Sequence, residues 1–194
     1  MPTYQSADHG QALDSHVRGY FAGHRVALRA WPRGPIEARI RGFRVYEVGP
    51  GDRFSGWTYV SAGCWRATAA DSHGLEFVLS AGASDPRNVE IVAMAAYYHA
   101  GGPSQRLDLG HTVPIGEPWI TGGTVDHLMV SLPYPYGPGL EELAWRTGRA
   151  RLLSLMPITR AERDFKAQHG VGALEARLEQ AAVDFIDPAR PSVA

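Results

Sequence analysis

The chain has 194 residues, 44% of them hydrophobic, and its 19 basic and 20 acidic residues leave a formal net charge of -1. That length and apolar fraction suit one globular domain, 1–194, with a sizeable core over about 15–186 and a tail at 187–194. The near-balance of charge gives no electrostatic case for nucleic acid or an anionic membrane as partner.

The opening MPTYQSADHG is polar and lacks the apolar core of a signal peptide. The longest apolar run, Ile91 to Tyr98, falls far short of the roughly 20 residues that span a bilayer. The expectation is a soluble, cytoplasmic protein. Leu13, Val17 and Tyr20/Phe21 then recur at spacings of four and three, one face of a short amphipathic helix. WPRGP at 31–35 ends that pattern, since neither proline donates a backbone hydrogen bond. ARIRGFRVYEV (38–48) reads as a strand with one wet face, closed by the GPGD turn at 49–52. WTYVSAGCWRAT (57–68) and LEFVLSA (75–81) are aromatic and β-branched, and read as two strands joined through DSHG at 71–74, paired as a hairpin. Cys64 is the only cysteine. It excludes an internal disulfide, a thiolate zinc cluster and a CxxC redox pair, and it is expected to be buried beside Trp65.

Asp85-Pro86 signals a helix start, with aspartate as N-cap and proline at the first helical position. The helix over 86–100 is apolar nearly all round and should be buried, and Gly101-Gly102-Pro103 stops it. HLMVSLP (127–133) and ARLLSLMPI (150–158) read as central strands, and YPYGPG (134–139) as a loop. TRAE at 159–162 is a capping box for a helix running to about Gly170. A second helical segment carries Leu174, Leu178, Ala182 and Phe185 on one face, and the arginines of this C-terminal region are expected on solvated helix faces. The pattern predicts an α+β domain, a mixed α/β sandwich: a mixed sheet of about five or six strands covered by helices.

The chemistry-bearing residues form no catalytic spacing. His99, His111 and His127, with Asp108, Asp126 and Glu76 as carboxylate partners, make the one arrangement for a metal-dependent hydrolase. Yet there is no HExxH, no HxH and no i, i+4 histidine pair, and His99 also fits a hydrogen-bonded position near a helix C-terminus. No GxSxG surrounds a serine, and Ser131 and Ser80 lie in predicted strands. The paired glycines at 101–102 and 122–123 lack a P-loop's strand–loop–helix setting and its lysine, and the one lysine of the chain is Lys166. Four tryptophans (57, 65, 119, 145) and the tyrosines at 97, 98, 134 and 136 concentrate near loops and strand ends. Each is read either as core packing or as an interface anchor. The proline-stiffened loops VPIGEPW and PYPYGPG favour docking over catalysis.

WTYVSAGCW, GLEFVLSA, DPRNVEIVAMAAYYHAGG, LDLGHTVPIGEPW, HLMVSLPYPYGP, ARLLSLMPIT and DPARPSV, in that order, resemble the suppressor of fused domain family, and its bacterial branch in particular. The resemblance covers roughly residues 15–193. It implies a helix-flanked central sheet, no catalytic apparatus, no cofactor or metal, and a protein partner. The animal member sequesters transcription factors and grips a peptide as an added β-strand between this domain and a second one. Related bacterial domains are proposed as immunity proteins against polymorphic toxins. A tyrosine and an acidic residue of the animal groove find their nearest matches in Tyr97 or Tyr98 and in Asp108, beside His111. Trp119 completes the candidate partner-binding set. The 194 residues leave no room for the second domain, so the two-domain clamp is not expected here.

Overall fold

A computed structural model describes residues 3–67 and 74–194, with side chains from Asp8 onward. Among these residues one mixed sheet carries eight strands: β1 (Val26–Ala30), β2 (Arg44–Val48), β3 (Trp57–Ala62), β4 (Gly74–Ala81), β5 (Thr112–Pro114), β6 (Val125–Ser131), β7 (Glu142–Trp145) and β8 (Gly148–Thr159). The α-helices are α1 (Thr3–Tyr20), α2 (Ile36–Arg39), α3 (Pro86–His99), α4 (Pro138–Glu141), α5 (Arg160–His169) and α6 (Val171–Gln180). The strand order is β1-β2-β3-β4-β8-β6-β5, with β7 also on β8. Only β4 and β8 run parallel. The fold is α+β.

Period-2 alternation sorts the core onto two faces. Val45, Tyr59, Phe77, Leu79, Leu153 and Leu155 turn to one face, under α3. Tyr46, Val48, Val60, Val78 and Leu152 turn to the other, under Leu13, Val17 and Phe21 of α1. On that same side Met129, Met156 and Ile158 meet Leu174 and Leu178 of α6. Helix starts follow their sequence signals. Asp85 accepts the Arg87 N–H at 2.7 Å ahead of Pro86, and Thr159 and Glu162 form the reciprocal capping box.

Several expectations are corrected. The 38–48 segment is a strand only from Arg44, because Gly42 at φ +73 breaks it after the short α2. The 57–68 strand stops at Ala62, and Cys64–Ala67 form a 3-10 turn. β3 and β4 pair antiparallel as expected, though residues 71–73 of the connecting turn lie outside the described residues. The strands β1, β5 and β7 add to those read from the sequence. α6 ends at Gln180, so Ala182, at φ +47, and Phe185 leave the helical face. Arg190 is not solvated. It is buried in the C-terminal coil, where its guanidinium donates to both carboxylate oxygens of Glu162 at 2.7 Å and to the Pro157 carbonyl at 2.9 Å. Burial alone would raise the Glu162 pKa. Hydrogen bonds from Arg190, Thr159 N–H and Val193 N–H outweigh it and hold the carboxyl below its ordinary range.

A second buried carboxylate sits on β4. Glu76 accepts the Ser61 hydroxyl and the N–H groups of Gly63, Cys64 and Trp65, so it holds the whole 3-10 turn onto the sheet. His9 of α1 stands 3.8 Å from it, between the rings of Trp65 and Trp145. Burial pushes Glu76 up to about 7, against those hydrogen bonds, and pushes His9 down to about 3, with Arg66 adding to the effect.

Two predictions follow from these groups. Arg190→Met strands a buried Glu162 and costs about 3–5 kcal/mol in urea unfolding, whereas an exposed arginine would cost well under about 1. The second concerns pH. Between 4.5 and about 7 the folded state holds a proton on Glu76 that the unfolded chain releases, so this group makes stability fall as pH rises. His9 acts oppositely between about 3 and 6.5, where the unfolded chain binds the extra proton. The two slopes cancel over their shared window. His9→Phe removes one of them, and stability then falls by about 1 kcal/mol per pH unit from 4.5 toward 7 in urea titrations. An unchanged slope would contradict this.

Candidate partner-docking edge

Four of the five predicted residues group around the C-terminal end of α3. Its apolar face (Val89, Ile91, Val92, Ala95, Ala96) is fixed on the sheet, so the last turn projects Tyr97 and Tyr98 sideways, half-buried. Arg39 of α2 lays its guanidinium 3.6 Å from the Tyr97 ring centroid and donates to the Tyr97 carbonyl at 2.7 Å. Tyr97 and Tyr98 line a hollow of about 400 Å³ with Trp31, Ile36, Met94, Val113 and Pro114.

His99 closes the same helix from inside. Its Nδ1 accepts the Leu107 N–H at 2.8 Å, and its ring lies edge-on to Phe77. Burial, helped by the Arg106 charge and opposed by Asp108, lowers its pKa to about 4, so it is neutral at physiological pH. The loop it holds leads to Asp108, whose carboxylate accepts the Leu109 N–H at 2.8 Å. His111 Nδ1 accepts the Asp108 N–H at 3.1 Å. Both residues face a larger cleft of about 1000 Å³ that also meets Arg106, Glu142 and Arg149. Gly110, between them, has φ +77, and a Cβ there would stand 3.0 Å from Val171. The Gly110 carbonyl accepts the ammonium of Lys166, which ties the loop to α5.

β5 runs on from His111 and links the two hollows. It is an end strand of the sheet, paired among the described residues with β6 alone. The bonds Val130 N–H to His111 carbonyl and Ile115 N–H to Asp126 carbonyl fix its phase. Alternation then aims the Thr112 N–H and carbonyl, and the Pro114 carbonyl, away from the sheet.

Trp119 belongs elsewhere. It is buried, its Nε1 donating to Asn88 Oδ1 at 2.8 Å near the start of α3, beside a separate hollow of about 400 Å³. The structure thus joins Tyr97 and Tyr98, and joins Asp108 and His111, with β5 between the pairs, and leaves Trp119 apart. Sequence reasoning missed Arg39 and Trp31. Both lie in segments read for strand or turn signals, and nothing local shows that they converge on α3.

The hydrolase arrangement does not assemble. His99 is taken by Leu107 and His127 by Asp126 at 2.7 Å, and among the described residues no three His, Cys, Asp or Glu side chains gather to hold a metal ion. Ser80 and Thr58 both pair with the Tyr136 hydroxyl at 2.8 Å. Among the described residues no helix is long and apolar enough to cross a membrane.

Comparison with known proteins fits this architecture. The family model described as suppressor of fused protein (SUFU) matches residues 38–191. A crystal structure described as a SUFU homolog from Neisseria gonorrhoeae FA 1090 is 33% identical, with TM-score 0.83, covering 97% of this chain and 98% of that one. The chain belongs to the suppressor of fused family. Two more distant structures share the fold. One is a Sufu–Fu complex (14% identity, TM-score 0.67, 96% of this chain and 92% of that one). The other is Drosophila Suppressor of Fused (13%, 0.70, 96% and 51%). No curated protein sequence matches significantly.

Replacing His99 with leucine leaves the Leu107 N–H buried without an acceptor. Stability should fall by about 1–3 kcal/mol, and the Leu107 amide should exchange faster in NMR. Wild-type exchange at Leu107 in that variant would show that the histidine does not hold the loop.

Proposed function

We propose that this chain is a non-enzymatic protein-binding module that takes an extended segment of its partner along the end of α3 and the edge of β5. The observation that carries the reading is the coincidence of an unpaired sheet edge with an aromatic hollow beside it. An added strand gains backbone hydrogen bonds from Thr112 and Pro114, and its side chains fall alternately toward Tyr97, Tyr98 and Trp31 or toward the Asp108–His111 cleft. The edge is stiff before binding. Arg39, His99 and Lys166 each fix one side of it, so little ordering is required on association. A relative has been seen in a Sufu–Fu complex, which supports a protein as the ligand.

In the finer form of the proposal the chain acts in the cytoplasm as a single domain and occludes a toxin, as immunity-type proteins do. It binds one to one through largely preformed surfaces.

An affinity pull-down from native lysate, run beside a Tyr97→Ala/Asp108→Ala double variant shown to be folded, tests this. The expected result is one stoichiometric protein captured by the wild type, with affinity at least about thirtyfold lower in the variant, as for loss of a central aromatic contact. An empty wild-type lane, including for any toxin encoded beside the gene, would overturn the function. Equal capture by both would overturn the placement.

A further inference from the structure

The near-neutral charge conceals a polarity. Residues 18–66 hold nine arginines against three carboxylates, leaving ten basic and seventeen acidic residues for the rest of the chain. Many of these arginines gather around β1, at the other end of the strand order from β5, and Arg33 just beyond β1 also lines the Tyr97–Tyr98 hollow. Arg29 pairs with Glu47 at 3.2 Å, Arg18 with Asp14 at 2.9 Å, and Arg44 stands 3.8 Å from Glu37. Three others meet no carboxylate among the described residues and lie on aromatic faces. Arg25 is over Trp57 at 5.2 Å, Arg33 over Trp31 at 5.7 Å, and Arg53 over Tyr20 at 4.7 Å. Stacking fixes a guanidinium and leaves its N–H fork for an incoming acid.

β1 itself is an open edge. Among the described residues it pairs with β2 alone, and Gly49 N–H donates to the Arg25 carbonyl at 2.9 Å. Alternation then bonds Ala27 and Arg29 to β2 and turns the backbone groups of Val26, Leu28 and Ala30 outward. Arg18 reaches the Val26 carbonyl at 3.5 Å. Among the described residues nothing bonds the outward N–H and carbonyl groups of Leu28 and Ala30. Leu28 is 47% exposed, one of the few large apolar residues at the surface among those described.

We infer that the β1 edge is a second interaction surface, and that its occupant is an acidic polypeptide segment added as a strand. Alternating outward donors and acceptors match a peptide backbone and not a sugar–phosphate chain. Arginines at an edge repel basic strands and discourage a second copy of the same edge, which would bring Arg25, Arg29 and Arg33 against themselves. They favour a strand with Asp or Glu at alternate positions, which presents its carboxylates along one side. An apolar residue of that strand beside Leu28 completes the contact.

The test uses the full chain and short peptides alternating Glu with Val or Thr. Controls carry Lys for Glu, or N-methyl groups that delete alternate backbone donors. Binding is read by fluorescence anisotropy and by hydrogen exchange at the amides of Val26, Leu28 and Ala30. The acidic peptide should bind at least about tenfold more tightly than its lysine counterpart and more weakly as salt rises. It should protect those three amides and lose binding on N-methylation. Leu28→Pro removes an outward N–H while leaving the β2 ladder bonded, and should weaken binding about five- to tenfold. Arg25→Glu/Arg53→Glu, which leaves the Tyr97–Tyr98 hollow intact, should reverse the charge preference without touching the backbone. No binding, equal binding of acidic and basic peptides, or protection at Thr112 instead would overturn the inference. So would a dimer in which these amides are already protected, or displacement of the peptide by single-stranded DNA.

Discussion

The structure depends on the pairing of one strand. β8 is twelve residues long, more than any single neighbour can cover. One side of it meets β7 over Gly148–Arg151 and then β6 over Ser154–Thr159. The other side runs parallel to β4 only as far as Ser154 opposite Val78. Beyond that point the sheet splits, and the C-terminal coil fills the gap. The Ile186 carbonyl accepts Gly82 N–H at 3.2 Å, and Arg190 reaches the Pro157 carbonyl. The buried Arg190–Glu162 pair exists where it does because Thr159, the last residue of β8, is also the N-cap of α5. Removing either partner would leave a charge inside the protein, so the tail is part of the fold rather than an appendage.

β8 also sets the two margins of the sheet at which the docking surfaces are proposed. By holding β6 it places β5 at the margin of the sheet, and by holding β4 it orders β3, β2 and β1 outward to the other margin. The two margins differ in chemistry. At β5 a proline limits the outward groups to one donor and two acceptors, and Tyr97, Tyr98, Asp108 and His111 lie beside it; in the proposed function they supply the specificity. At β1 the backbone is open and the flanking charge is positive. Two buried histidines brace the elements behind these margins. His9 seats α1 against Glu76, and His99 fastens the loop that leads to β5.

What was legible in the sequence was local. Asp85-Pro86 and Thr159–Glu162 announce helices because the cap and the groups it satisfies lie within three residues of each other. β3, β4, β6 and β8 were legible because central strands bury both faces. β1, half wet, and β5, three residues long, carry no such signal and are defined by their partners. The Arg190–Glu162 pair spans 28 residues and the Arg39–Tyr97 contact 58, so only the fold brings them together. Trp119 shows the reverse case. Its place in a proline-rich loop left core packing and interface anchor both open, and only the Asn88 acceptor supplied by the folded helix shows that its indole is inside. Tyr97, Tyr98, Asp108 and His111 are proposed as docking residues on the family blocks, whereas Arg39 and Trp31 join them only through the structure.

The most direct measurement is hydrogen exchange on the chain alone and in complex with its captured partner. The account predicts new protection at Thr112, whose N–H points out of the sheet, together with the 97–111 segment, and little change along α6. Protection confined to any other face, with Thr112 exchanging as it does in the free chain, would contradict it.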